Sequence, residues 1–70
     1  MRIEILVKDE LMEQVKSSVA CVIEPRDVEP DIVQLNTVAG IKKMTFKGVA
    51  NEGTVCRVAD TTGAISACSF

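Results

Sequence analysis

The sequence predicts an α+β domain, a β-α unit followed by a β-rich antiparallel meander. Apolar residues alternate along positions 3–7 and then recur at helical spacing over positions 11–22. The second half is cut into short segments by two turns that end in glycine. With 70 residues, the chain has room for a single small domain, residues 1–70.

In the opening segment Ile3, Ile5 and Val7 alternate with Arg2, Glu4 and Lys8, the pattern of a half-buried strand. Asp9 stands where a helix N-cap belongs. Glu10 and Glu13 fall in the first turn, where the helix dipole favours acids. A helix is therefore expected from near Glu10, with Leu11, Met12, Val15, Val19 and Val22 on one face. Ser17-Ser18 leaves residues 19–23 open to helix or strand, and Pro25 stops either one. Residues 24–31 form a charged, proline-punctuated connector. Residues 32–39 suit a short helix between Pro30 and Gly40, but Val33, Leu35 and Thr37 favour a strand.

In the second half, Asn51-Glu52-Gly53 and Thr61-Thr62-Gly63 read as three-residue hairpin loops. Glycine supplies the left-handed backbone that the last position of such loops needs. The registers that follow set Phe46 opposite Val58, and Cys56 opposite Cys68. One face of the meander then carries Met44, Phe46, Cys56, Val58, Cys68 and Phe70 and is expected to be core. The other carries Lys43, Thr45, Lys47, Val49, Val55, Arg57, Ile65 and Ser69, half apolar and cationic.

Composition bounds the function. Only Phe46 and Phe70 are aromatic, so the core is thin for a lone monomer of this size. A homo-oligomer or a protein partner is expected to supplement it. Cys21, Cys56 and Cys68 are odd in number and follow no signal peptide, which reads as reduced thiols in the cytoplasm. The chain has no His and no CxxC pair, so no metal or other cofactor is expected. No apolar run approaches the roughly 18 residues of a membrane span. Residues 1–31 hold eight acids against four cations, net −4, and residues 32–70 hold four cations against two acids, net +2. The charge is polarised along the chain.

For catalysis the sequence is poor. His, Tyr and Trp are absent, and neither a nucleophile elbow nor a glycine-rich phosphate loop occurs. Glu10 and Glu13 are read as a dipole-compensating first turn. A non-enzymatic role is expected.

One stretch resembles a known family. Val55-Cys56-Arg57-Val58-Ala59-Asp60-Thr61-Thr62-Gly63-Ala64-Ile65 is similar to the second hairpin of OB-fold single-stranded-DNA-binding proteins of the replication-protein-A-like kind. With the upstream residues the likeness spans 33–65, about half of the chain. It implies a partial OB-like β-barrel as the alternative fold. It also implies a single-stranded nucleic-acid-binding module, with Lys43, Lys47 and Arg57 on the phosphates. The chain ends before an OB fold's remaining helix and strands, and aromatic stacking platforms are missing.

The favoured expectation is a small protein-binding regulator or inhibitor of a larger intracellular assembly, of the kind phages and mobile elements encode. Its interface is expected at Val49, Val55 and Ile65, with an edge strand at 2–8 or 64–70 free to pair with another copy. A third reading is an accessory subunit completed by a partner chain.

Overall fold

The computed structural model describes residues 1–69. Strand β1 spans Ile3–Lys8, as the alternation requires. A single 3-10 turn, Asp9–Leu11, leads into helix α1 at Met12–Val22. The helix thus starts two residues later than Glu10. Asp9 does not cap it; its carboxylate lies 3.8 Å from the Lys42 ammonium. Ser17-Ser18 does not break α1. Val15 and Val19 are buried four residues apart, and that apolar stripe carries the helix on to Val22.

The connector then feeds β2 at Asp31–Gln34 and β3 at Ile41–Phe46. Residues 32–34 are strand, as β-propensity favours, but 35–40 turn back as a loop. The Leu35 N–H donates to the Ile41 carbonyl at 3.1 Å and closes this hairpin. Helix α2 follows at Glu52–Thr61, and β4 at Ser66–Ser69.

The sheet order is β2-β3-β1-β4, with every neighbouring pair antiparallel. Alternating β-α-β-β-α-β in this order is the split β-α-β topology of ferredoxin-like folds. The α+β class and its β-α opening hold, and the second half does add antiparallel strands. The sheet is open, so the barrel alternative does not form.

The correction lies at residues 51–63. Neither three-residue hairpin exists there, and the segment read as a meander strand is α2. Val55, Val58, Ala59 and Thr62 stand at i, i+3, i+4 and i+7, and all four are buried or half-buried. Helical spacing therefore wins over the alternation the same residues offer. Gly63 does adopt a left-handed backbone, φ +110°, but as the residue that ends a helix. The Ala64 N–H donates to the Ala59 carbonyl at 3.0 Å and the Gly63 N–H to the Asp60 carbonyl at 3.3 Å. Those two bonds are the Schellman termination of α2.

Both helices cover one face of the sheet. The core between the layers contains Ile3, Ile5 and Val7 from β1 and Met44 and Phe46 from β3. From the helix layer come Val15, Val19, Val55 and Ala59, joined by Ile23 and Val49 from the loops. Among the described residues no polar or charged side chain is buried. Of the five described members of the expected core set, two are core. Met44 and Phe46 are core, Cys56 and Val58 are half-buried on α2, and Cys68 is exposed. Phe70 lies outside the described residues. The three cysteines are free thiols, so Cys56 and Cys68 are not bridged.

Asn51 ties the two helices together. Its Nδ2 donates to the Val22 carbonyl at 2.7 Å, and its Oδ1 accepts from the Glu24 N–H at 2.9 Å. The Ala50 N–H donates to the Glu24 carbonyl at 2.9 Å. The end of α1 and the start of α2 are clamped by these three bonds. Among the described residues, no helix is long and apolar enough to cross a membrane.

Candidate functional site

With both helices on one face, the other face of the sheet has no covering layer. Strand alternation and register define what it presents. On β1 the core side takes Ile3, Ile5 and Val7, which leaves Glu4, Leu6 and Lys8 outward. On β3 the core side takes Met44 and Phe46, which leaves Ile41, Lys43 and Thr45 outward. The register continues the pattern to Asp31 and Val33 on β2, and to Ser66 and Cys68 on β4.

These side chains fall in rows across the strands. One row runs Val33, Lys43, Leu6, Ser66. The next runs Asp31, Thr45, Glu4, Cys68. Ile41 stands opposite Lys8 and diagonal to Leu6. Leu35, just past β2, is half-buried and bonded to Ile41. Lys43 is therefore set among Leu6, Val33 and Ile41, with Leu35 at the border. Val33 is 51% exposed, a large apolar side chain left in water. The Lys43 side chain has no ion pair or hydrogen bond among the described residues. Glu4, one row away, is engaged by Arg2 at 3.6 Å.

The three cations expected to form a phosphate-binding set do not converge. Lys43 lies on the open face. Arg57 lies on the exposed side of α2, beyond the opposite face of the sheet, because the buried Val55 and Ala59 turn it outward. Lys47 is exposed just after β3. Sheets that bind single-stranded RNA stack bases on aromatic side chains. The central strands here present Glu4, Leu6, Lys43 and Thr45 instead.

The expected protein-interface set is also divided. Val49 and Val55 are 1% and 0% exposed and belong to the core, so neither can form a docking surface in this fold. Ile65, 47% exposed, is the one of the three at the surface, next to β4. Sequence reasoning missed Leu6, Val33 and Ile41 as a set. The signal was present in part: Leu6 breaks the alternation of β1, as a residue facing the second side of a sheet does.

Elsewhere the described residues offer little convergent chemistry. No group of three or more His, Cys, Asp or Glu side chains is placed to hold a metal ion. One open depression of about 360 Å³ is lined by Lys8, Asp9, Glu10, Ala39, Gly40 and Ile41. It mixes charges of both signs around a loop.

Burial pushes the Cys56 thiol above its ordinary value of 9.0, and the nearby Cys68 and Glu52 push it the same way. Cys21 and Cys68 are exposed. At about pH 8, iodoacetamide should therefore modify Cys56 more slowly than either of them, read by peptide mass spectrometry. Equal rates at all three would contradict this placement. The same shift sets a sign for stability. The unfolded chain loses the Cys56 proton first, so this contribution is intact below the ordinary value and is lost as pH rises through the folded one.

No family model matches the chain, and no curated protein or solved structure matches it significantly.

Proposed function

We propose that the chain is a non-enzymatic protein-binding module, a regulator or inhibitor of a larger assembly, and that it acts through the open sheet face. The observation that carries this reading is Lys43, a cation with no ion pair among the described residues, set beside the exposed and half-exposed apolar side chains of Leu6, Val33 and Ile41. A surface of that kind fits an apolar protein segment carrying a carboxylate. The apolar side chains are removed from water, and the carboxylate gives Lys43 the partner its desolvation demands. The topology itself argues for no particular function, since it is shared by many unrelated activities.

The single-stranded nucleic-acid reading is the runner-up and rests on Lys43, Lys47 and Arg57, because the stretch that resembles an OB hairpin folds as helix α2 and its end. It is weakened by Asp31 and Glu4 beside Lys43 and by the divergence of the three cations. The accessory-subunit reading expects a chain that folds poorly alone. A core with no buried polar side chain among the described residues favours independent folding.

The test compares surfaces on the intact protein. Lys43→Glu and Val33→Asp should each abolish capture of the proteins retained by the unaltered chain, while Arg57→Glu on the helix side should leave capture unchanged. Fluorescence anisotropy with labelled single-stranded oligonucleotides should show no saturable binding at low salt. Binding that weakens with salt and falls with both Lys47→Glu and Arg57→Glu would instead establish the nucleic-acid reading. Capture that survives both open-face variants would remove the proposed surface.

A further inference from the structure

The sheet ends on two edges, and they differ. At one edge β2 carries Asp31, directly after Glu29-Pro30. Charge and proline are devices that keep an edge strand from pairing with another chain. At the other edge β4 reads Ser66-Ala67-Cys68-Ser69, and residues 61–69 contain no Asp, Glu, Lys or Arg at all. Beyond its pairing with β1, no backbone hydrogen bond reaches Ser66–Ser69 among the described residues. Beside this bare edge stands the exposed Ile65.

We infer that β4 is a self-pairing edge, whose occupant is the β4 strand of a second copy of this chain, antiparallel across a twofold axis. Around such an axis the same short segment faces itself, residue i meeting residue j and j meeting i. The β4 segment carries no charge and meets its copy without repulsion, whereas the segment that would face itself at the β2 edge carries Asp31 and directly follows Glu29-Pro30. Small side chains at Ser66, Ala67, Cys68 and Ser69 put no bulk in the way.

Symmetry restricts the register. Residues opposite each other in an antiparallel pair point to the same face of the sheet. A twofold axis perpendicular to the sheet preserves faces, so only residues of equal parity can be opposed. The axis must pass at Ala67 or at Cys68, and in either case the helices of both copies share one side. The two open faces then join into one continuous surface. Four residues of strand pairing bury far less than the ~800 Å² per partner of a stable complex. Association is therefore weak, and the dimer forms only at high protein concentration. This inference does not depend on the partner-binding reading, because it concerns pure protein and a different part of the surface.

The experiment is a dilution series from about 1 mM downward, followed by amide NMR and sedimentation equilibrium. Concentration-dependent shifts are expected at Ser66–Ser69 and not at Asp31–Gln34, together with a monomer–dimer equilibrium. Cys68→Lys, at an exposed position, should leave the spectrum folded and abolish the dimer. In a Cys21→Ser, Cys56→Ser background under added oxidant, a twofold at residue 68 links Cys68 to its copy. The Cα atoms there are about 4.5–5.5 Å apart, within disulfide range. A twofold at residue 67 instead links the chain bearing Ala67→Cys and Cys68→Ser. A chain monomeric at the highest concentration, shifts confined to β2, or a dimer that neither cysteine position links would each overturn the inference.

Discussion

Val55→Asp is expected to unfold the chain, not to detach it from a partner. Val55 is fully buried on α2, within the core shared with β1, β3 and α1. The substitution loses about 1.5–3 kcal/mol of side-chain burial. It also asks the core to take a carboxylate with no hydrogen-bonding partner, at a further several kcal/mol. A domain of this length is stabilised by only about 3.5–10 kcal/mol. Far-UV circular dichroism should show the helical signal lost at neutral pH, and the amide spectrum should collapse to unfolded dispersion. The matched control is Ile65→Asp. The sequence assigns both residues to one surface, yet Ile65 is 47% exposed. Its replacement should change stability by no more than about 0.5 kcal/mol. A cooperatively folded Val55→Asp chain would mean that α2 is not packed as described.

Asn51→Ala should cost the next largest amount, about 1–3 kcal/mol, because two hydrogen bonds are lost at once. The Val22 carbonyl is partly buried and loses its donor, while the more exposed Glu24 N–H recovers water in part. For a domain of this size the melting temperature should fall by roughly 7–20 °C. Urea denaturation of the variant should keep the slope and shift the midpoint. A change below about 0.5 kcal/mol would show that the Ala50–Glu24 backbone bond holds the two helices together without the side chain.

The physics of these two residues explains what sequence reading could and could not reach. Ile3, Ile5 and Val7 alternate over a stretch with no competing helical pattern, so β1 was legible. Leu11, Met12, Val15, Val19 and Val22 recur at helical spacing with acids before them, so α1 was legible too. Gly63 had to take a left-handed backbone under either reading. Its requirement was local, and it was met. What local chemistry left undecided was the element before it. Val55-Cys56-Arg57-Val58-Ala59 satisfies a strand's alternation with Cys56 and Val58 on the core side and Val55 and Arg57 outward. It satisfies a helix through Val55, Val58, Ala59 and Thr62. The two patterns share Val58 and place Val55 on opposite sides, outward in the strand and inward in the helix.

Asn51 shows the same ambiguity from the other side. Next to Glu52-Gly53 it looks like turn chemistry, and nothing local reveals that its amide spans to Val22 and Glu24, 29 and 27 residues away. The open-face residues were obscured for a related reason. Leu6, Val33 and Ile41 come from three strands, and only the β2-β3-β1-β4 order sets them around Lys43. The same order moved β1 from a free edge to the centre of the sheet and left β4 exposed.

The sequence by itself determined the class of the fold, the first strand and helix, and the glycine turn at residue 63, because propensity, periodicity and backbone sterics act within a few residues. Tertiary structure alone decided that residues 52–61 are helix, that Val49 and Val55 are core, and that Lys43 stands apart from Arg57. The sheet needed an apolar layer over Ile3, Ile5, Met44 and Phe46, and burying Val55 and Ala59 there as a helix supplies it.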